Sequence, residues 1–266
     1  MRFPKYVISA LVAATLYGPA SAHEVADPTI RHQAKDGVVR LYGAGGPDTA
    51  FKKVADVFRK ETGIDVEITA GPEPTWSRAA QANADILWGT AEEDMTAMLE
   101  TYKIFDWGAV TPIYVRPSII AVKKGNPKRI GGFEDLLKDG VRIVVTDGAG
   151  VSNTSGTGVW EDIAGRAGRL DDIKRFRRNI VASGKGSGAS YKAFIEKNAD
   201  ALITWPDWPI SHSSQADLVR LSSDRTIWRD VNVALAPDAD PEAEKFLAFL
   251  VSPRGAAIMK TEGWRR

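Results

Sequence analysis

The feature that most constrains this chain is the strand-to-helix junction at residues 142–160, Arg-Ile-Val-Val-Thr-Asp-Gly-Ala-Gly-Val-Ser-Asn-Thr-Ser-Gly-Thr-Gly-Val-Trp. Residues 142–146 form a short β-branched run that reads as a strand. Helical spacing resumes near Thr157, with Val159, Trp160 and Ile163 on one face. Between them lie Gly148, Gly150, Gly156 and Gly158, interleaved with Ser152, Asn153, Thr154, Ser155 and Thr157. A strand that opens a helix through such a loop leaves the first helical N–H groups unbonded. With the positive end of the helix dipole and the small hydroxyls, they make a socket for an anion or a polar oxygen. The same composition also suits a plain capped turn. No Lys follows the last glycine in P-loop spacing, and Gly-x-Gly-x-x-Gly is absent, so neither nucleotide motif applies.

The rest of the chain repeats the pattern. Strands at 38–42, 64–69 and 84–88 each end in a small-residue loop: Gly43-Ala-Gly-Gly-Pro-Asp48, Gly71-Pro-Glu-Pro-Thr-Trp-Ser77 and Gly89-Thr90. A helix follows the first, with Phe51, Val54, Ala55, Val57 and Phe58 along one side, started by Pro47 and stopped by Thr62-Gly63. After an extended run at 113–122, broken at Pro117, the units restart. Strands at 142–146, 179–182 and 199–204 alternate with a short helix at 133–138, a helical region at 157–178 and a helix at 189–197. An extended segment at 227–235 and two amphipathic segments, 241–251 and 253–261, close the chain. Successive strand–loop–helix units predict parallel α/β sheets whose ligands gather at the carboxyl ends of the strands. Two such halves, joined by two extended crossings, predict two lobes facing a cleft: 37–113 with 230–266, and 114–229.

The amino terminus carries a basic start, an apolar run from Tyr6 to Leu16 and Ala20-Ser21-Ala22, the pattern of a signal peptide cleaved after Ala22. No lipobox cysteine accompanies it, so the expected location is the periplasm, without membrane insertion of the mature chain. A polar leader occupies residues 23–36. The sequence has no cysteine at all, so no disulfide holds it and a core of sufficient size must do so. The formal charge is +1, and the leader removes Arg2 and Lys5, leaving about −1. That balance offers nothing to nucleic acid or a membrane surface. The run Lys174-Arg175-Phe176-Arg177-Arg178 fits a solvated helix end.

Four stretches resemble one family: Leu41-Tyr-Gly-Ala-Gly-Gly-Pro-Asp-Thr-Ala-Phe, Asn83-Ala-Asp-Ile-Leu-Trp-Gly, Val122-Lys-Lys-Gly-Asn-Pro and Thr146-Asp-Gly-Ala-Gly-Val-Ser-Asn-Thr-Ser-Gly-Thr-Gly-Val-Trp-Glu-Asp. They are similar to the accessory colonization factor AcfC family of type II periplasmic binding proteins, relatives of the sulfate- and molybdate-binding proteins. The resemblance spans about 38–266. It implies an α/β fold of two lobes, each a mostly parallel sheet flanked by helices, hinged around a central cleft that closes on a small anion. By loop position it implies Gly45, Gly46, Thr75 and Trp76 as ligand residues of the first lobe. In the second lobe it implies Ser152, Asn153, Thr154, Ser155, Ser187 and Trp205. An ABC permease is the partner it implies, or, from the family's name, a membrane chemoreceptor.

Two further residues stand out on their own chemistry. Arg116, in a crossing segment, can take a carboxylate or sulfonate bidentately, or make an inter-lobe salt bridge. If it faces the ligand, an organic acid is favoured over molybdate. Asp207, beside Trp205 and Trp208, can accept a ligand hydroxyl or amine, or cap a helix. Enzymatic chemistry has little to stand on. His23, His32 and His212 lie near no nucleophile motif, and there is no Gly-x-Ser-x-Gly elbow. Neither His23-Glu24 nor Glu92-Glu93-Asp94 makes a metal set. The expectation is a monomeric binding protein without catalytic residue, metal or cofactor.

Overall fold

A computed structural model describes residues 25–147 and 154–266. The first lobe opens with β1 (Val39–Gly43), α1 (Asp48–Thr62), β2 (Val66–Ala70), α2 (Ser77–Asn83), β3 (Ile86–Gly89), α3 (Glu92–Thr101) and β4 (Thr111–Pro117). The second contains β5 (Ile119–Lys123), α4 (Phe133–Leu136), β6 (Ile143–Asp147), α5 (Val159–Gly165), α6 (Leu170–Asn179), β7 (Ile180–Lys185), α7 (Ser187–Glu196), β8 (Ala201–Thr204), α8 (Asp207–Ser211) and β9 (Ala216–Arg220). The chain then returns through β10 (Trp228–Leu235), α9 (Pro241–Leu250) and α10 (Pro253–Thr261).

The strands form two five-stranded sheets, ordered β2-β1-β3-β10-β4 and β7-β6-β8-β5-β9. Pairing is parallel for β2-β1-β3 and β7-β6-β8, the strands that belong to strand–loop–helix units. The segments that cross between lobes enter antiparallel: β10 between β3 and β4, and β5 between β8 and β9. Each sheet is therefore mixed, because a crossing strand runs back from the far lobe instead of returning over a helix. The chain leaves the first sheet at Pro117 and enters the second at Ile119, and it comes back between Arg220 and Trp228. The expected junctions were 113/114 and 229/230. Arg116 thus stands on the first sheet, at its edge with the second. The two crossings are tied to each other: Ser118 N–H donates to Ile227 O at 2.7 Å, and Ile227 N–H donates to Ser118 Oγ at 2.9 Å.

The lobes repeat one locking device. In each, an aspartate before the third strand accepts a backbone N–H at the start of the first. Asp85 accepts from Arg40 N at 2.7 Å, and Asp200 accepts from Arg142 N at 3.0 Å. Each aspartate N–H donates back to the same partner's carbonyl, at 3.0 Å and 2.8 Å. Asp85 also takes the Asp240 N–H at 2.7 Å, which seats the start of α9. Burial pushes the Asp85 carboxyl up, and those backbone hydrogen bonds oppose the push.

Alternation along the strands gives every sheet an apolar layer on both faces. Leu41 and Trp88 join Phe51, Phe58, Phe246 and Met259 under α1, α9 and α10, so the carboxy-terminal helices belong to the first lobe. Tyr42 and Leu87 face the other way, onto Trp76, Met95 and Tyr102. In the second lobe Ile120 and Ile143 pack with Phe133 and Phe176, while Ile119 and Val144 pack with Tyr191 and Phe194. The helical region at 157–178 divides at Gly165-Arg166-Ala167-Gly168, where Gly168 has φ +66°. Residues 25–36 form no regular element yet dock on the first lobe, with Gln33 N–H donating to Ala82 O at 2.7 Å.

Arg225 pins the returning chain to the second lobe. Its guanidinium is buried, donates to Ile163 O at 2.9 Å and to Asp172 at 2.8 Å, and lies 4.1 Å over the Phe133 ring. Burial pushes the Asp172 carboxyl up, but hydrogen bonds from Arg169 and Arg225 outweigh it and hold the group below its ordinary value. A lowered carboxyl contributes stability that is present above the unfolded value, about 4, and lost as pH falls through the lower folded value. Asp172→Asn is expected to lower stability at pH 7 by about 2–3 kcal/mol. The gap from the unsubstituted protein should close in urea titrations as pH drops below about 4. A gap that persists unchanged at pH 2 would contradict the assignment.

Candidate ligand-binding cleft

Strand-end loops from both lobes converge on the side chain of Arg116. The residue is 2% exposed, although it comes from the penultimate position of an edge strand. Its Nη1–H donates to Asp207 Oδ1 at 2.9 Å and its Nη2–H to Ser155 Oγ at 3.0 Å, both from the second lobe. The guanidinium lies over two indoles, 4.7 Å from the Trp205 ring centre and 4.6 Å from that of Trp264. Such contact favours a planar cation over an ammonium. The Nε–H has no partner among the described residues.

The first lobe closes on the same group through the loop after β1. The Trp88 indole N–H donates to Ala44 O at 2.7 Å and holds that loop against the sheet. Gly46 then passes so close that a Cβ there would lie 2.9 Å from Arg116 Nη1, and its φ of +112° is itself a glycine conformation. A second close approach lies beside it. Gly263, with φ +90°, packs so that a Cβ would lie 2.5 Å from Pro206 Cβ, bringing the carboxy-terminal segment onto the second lobe.

Burial works against both charges of the pair. It pushes the Asp207 carboxyl up, with Arg116 opposing and the nearby Asp48 adding to the rise. It pulls the Arg116 guanidinium down, with Asp207 and Asp94 opposing. Guanidinium still does not give up its proton in proteins. The attraction is thus spent largely on desolvation, so the pair is close to break-even as a source of stability.

The residues expected in the cleft divide by position. Arg116, Asp207, Ser155, Trp205 and Gly46 are brought together. Thr154 stands at the same loop, its N–H donating to Thr157 Oγ1 at 3.0 Å while its own Oγ1 has no partner among the described residues. Ser187 is the first residue of α7, and a Cβ on Gly156 would lie 3.4 Å from its Oγ. Gly45 is exposed with open space beside it. Thr75 and Trp76 are engaged locally instead. The Thr75 hydroxyl donates to Pro72 O at 2.7 Å. The Trp76 indole donates to Gly71 O at 3.1 Å and stacks on Tyr102, with ring centres 5.7 Å apart. Trp76 is 2% exposed within the core of the first lobe. Ser152 and Asn153 lie outside the described residues. Trp264 was not anticipated. Its position near the chain end follows no loop pattern, and only its packing on Arg116 reveals it.

This geometry offers anion donors. Among the described residues no three His, Cys, Asp or Glu side chains cluster to hold an ion. Beside the acceptor Asp207, the donors near the seam are the N–H-rich starts of α1 and α7, the hydroxyls of Thr154 and Ser155 and the Nε–H of Arg116.

Residues 39–265 match the family described as bacterial extracellular solute-binding protein, and the chain belongs to it. The crystal structure of Peb3 from Campylobacter jejuni superposes with a TM-score of 0.80 at 41% identity, over 86% of this chain and 99% of that one. A PEB3 structure bound to L-phospholactate gives a TM-score of 0.81 at 42% identity, over the same shares. The sulfate-binding protein of Salmonella typhimurium is 23% identical over 238 residues, 78% of this chain and 71% of that protein. The family is defined by solute binding, and no described helix is long and apolar enough to cross a membrane.

Removing one partner of the seam pair separates these contributions. Arg116→Met leaves Asp207 buried without a counter-charge and is expected to cost the closed seam about 3 kcal/mol. The double variant Arg116→Met, Asp207→Leu should recover most of that loss. Small-angle scattering is expected to show a larger radius of gyration for the single variant and a native one for the double. A native radius and denaturation midpoint in the single variant would mean that the pair does not hold the lobes.

Proposed function

We propose that this chain is a periplasmic solute-binding protein whose lobes, 37–117 with 228–266 and 118–227, close on a small organic anion bearing a carboxylate. Phosphorylated three-carbon acids are the first class to consider. The observation that carries this is the buried Arg116 at the lobe seam, whose Nη2–H reaches the loop hydroxyl of Ser155 and whose Nε–H has no partner among the described residues. A guanidinium of this kind suits a planar carboxylate, and helix-start N–H groups suit a phosphoryl group. The relative that is 42% identical over 86% of this chain holds a compound with both groups, L-phospholactate. Sulfate- and thiosulfate-binding relatives support the broader anion class.

Closure would place ligand, Asp207 and Arg116 in one desolvated seam, where an analogue lacking the carboxylate leaves donors unpaired and binds weakly. Delivery to an ABC-type importer is the matching role, with export through the leader cleaved after Ala22. Membership of the AcfC branch is part of the same proposal. Presentation to a chemoreceptor draws no support from the relatives, whose names are those of anion-binding proteins.

Thermal unfolding tests the reading. L-Phospholactate at about 100 times its dissociation constant should stabilise the protein by about 2.7 kcal/mol. For a chain of this size that is a rise of roughly 5–10 °C. Sulfate and molybdate should give smaller rises, and Ser155→Ala should reduce the phospholactate response. No rise with L-phospholactate, sulfate, thiosulfate or molybdate would reject anion binding. A rise with sulfate or molybdate alone would reject the carboxylate and leave the oxyanion class.

A further inference from the structure

A cavity of about 390 Å³ opens where the chain crosses between the lobes. The first lobe supplies Pro117, Trp228 and the carboxy-terminal Gly263 and Trp264, and the second supplies Ile119, Leu218 and Leu221. Its volume lies in the range of sites that enclose a small molecule. Its lining is largely apolar, with the hydroxyls of Ser118, Ser223 and Thr226 and three cations, Arg220, Lys260 and Arg265, and no aspartate or glutamate stands among the described lining residues. Elsewhere many exposed basic residues sit beside carboxylates, as Lys52 does with Asp48, Lys124 with Asp217 and Arg254 with Glu61.

Arg265 lies 5.2 Å over the Trp228 ring, so its charge and that indole are held together at the opening. Trp228 is 44% exposed, a large apolar surface left uncovered beside these charges. Deeper in, Trp264 is 1% exposed, and its Nε1–H has no partner among the described residues. Three like charges around a low-dielectric hollow focus a positive potential into it. An inorganic anion would leave the apolar walls unused, and a neutral hydrocarbon would leave the cations unused. A guest that satisfies both is flat, apolar and terminally anionic.

We propose that this cavity, separated from the Arg116 cleft by the shared Trp264, is a second binding site for a small aromatic carboxylate. Its ring packs against Trp228, Leu218 and Leu221, and its carboxylate lies among Arg220, Lys260 and Arg265. Because walls come from both lobes, occupancy is linked to the lobe arrangement that forms them.

Isothermal titration of 2-naphthoate and of the uncharged 2-naphthamide into the full chain tests the site. Arg220, Lys260 and Trp228 are all exposed, so the double variant Arg220→Glu, Lys260→Glu and the single variant Trp228→Ala are expected to fold, as thermal melts would verify. The naphthoate should bind the unsubstituted protein about tenfold more tightly than the amide, and the double charge reversal should remove about that factor. The amide should respond to Trp228→Ala and not to the charge reversal. Absence of naphthoate binding, or equal naphthoate affinity in the unsubstituted protein and the charge-reversed variant, would overturn the proposal.

Discussion

The contact between Arg116 and Asp207 governs how the two halves of this molecule meet. Arg116 comes from the end of β4 in the first lobe and Asp207 from the start of α8 in the second, and neither retains appreciable contact with water. Desolvation penalises both and their attraction returns a comparable amount, so the pair orders the seam without locking it. Cation–π contact with both Trp205 and Trp264 adds directionality, since a planar cation held against two rings has few orientations. A near-balanced contact is what a binding protein requires. A strongly favourable one would hold the lobes shut without ligand, and an unfavourable one would tax every closure.

Around that contact the fold repeats itself. Both sheets place a crossing strand next to the third parallel strand, and both fasten their first and third strands through an aspartate and a backbone N–H. The repetition turns the carboxyl ends of the parallel strands of each lobe toward one seam. The crossings pass that seam side by side and are hydrogen-bonded to each other at Ser118 and Ile227. A relative rotation of the lobes therefore has a narrow pivot, two adjacent segments, while the apolar layers on either side move as units.

Much of this was legible in the order of residues. Strand-ending loops are marked by Gly, Pro, Ser and Thr, which punctuate backbone locally, and the apolar face of α1 follows from its spacing. Arg116 and Asp207 stood out for chemistry alone. Thr75 and Trp76 show what loop position leaves open. They belong to a strand-end loop, yet the hydroxyl is used within its own turn and the indole fills the space between Gly71 and Tyr102. Nothing local separates a tryptophan that walls a cleft from one that fills a core, because both are apolar residues next to a turn.

The sequence by itself determined the strand–loop–helix units, the two-part organisation and the reliance on apolar packing without disulfides. These depend on periodicity, turn chemistry and composition, which are properties of neighbouring residues. Only the tertiary structure decided which side chains share the seam. Arg116 meets Asp207 across 91 positions of chain, and Trp264 reaches the same guanidinium from the carboxy terminus. Such meetings depend on how two antiparallel crossings bring separate sheets together, and no local pattern encodes the distance between residues that far apart.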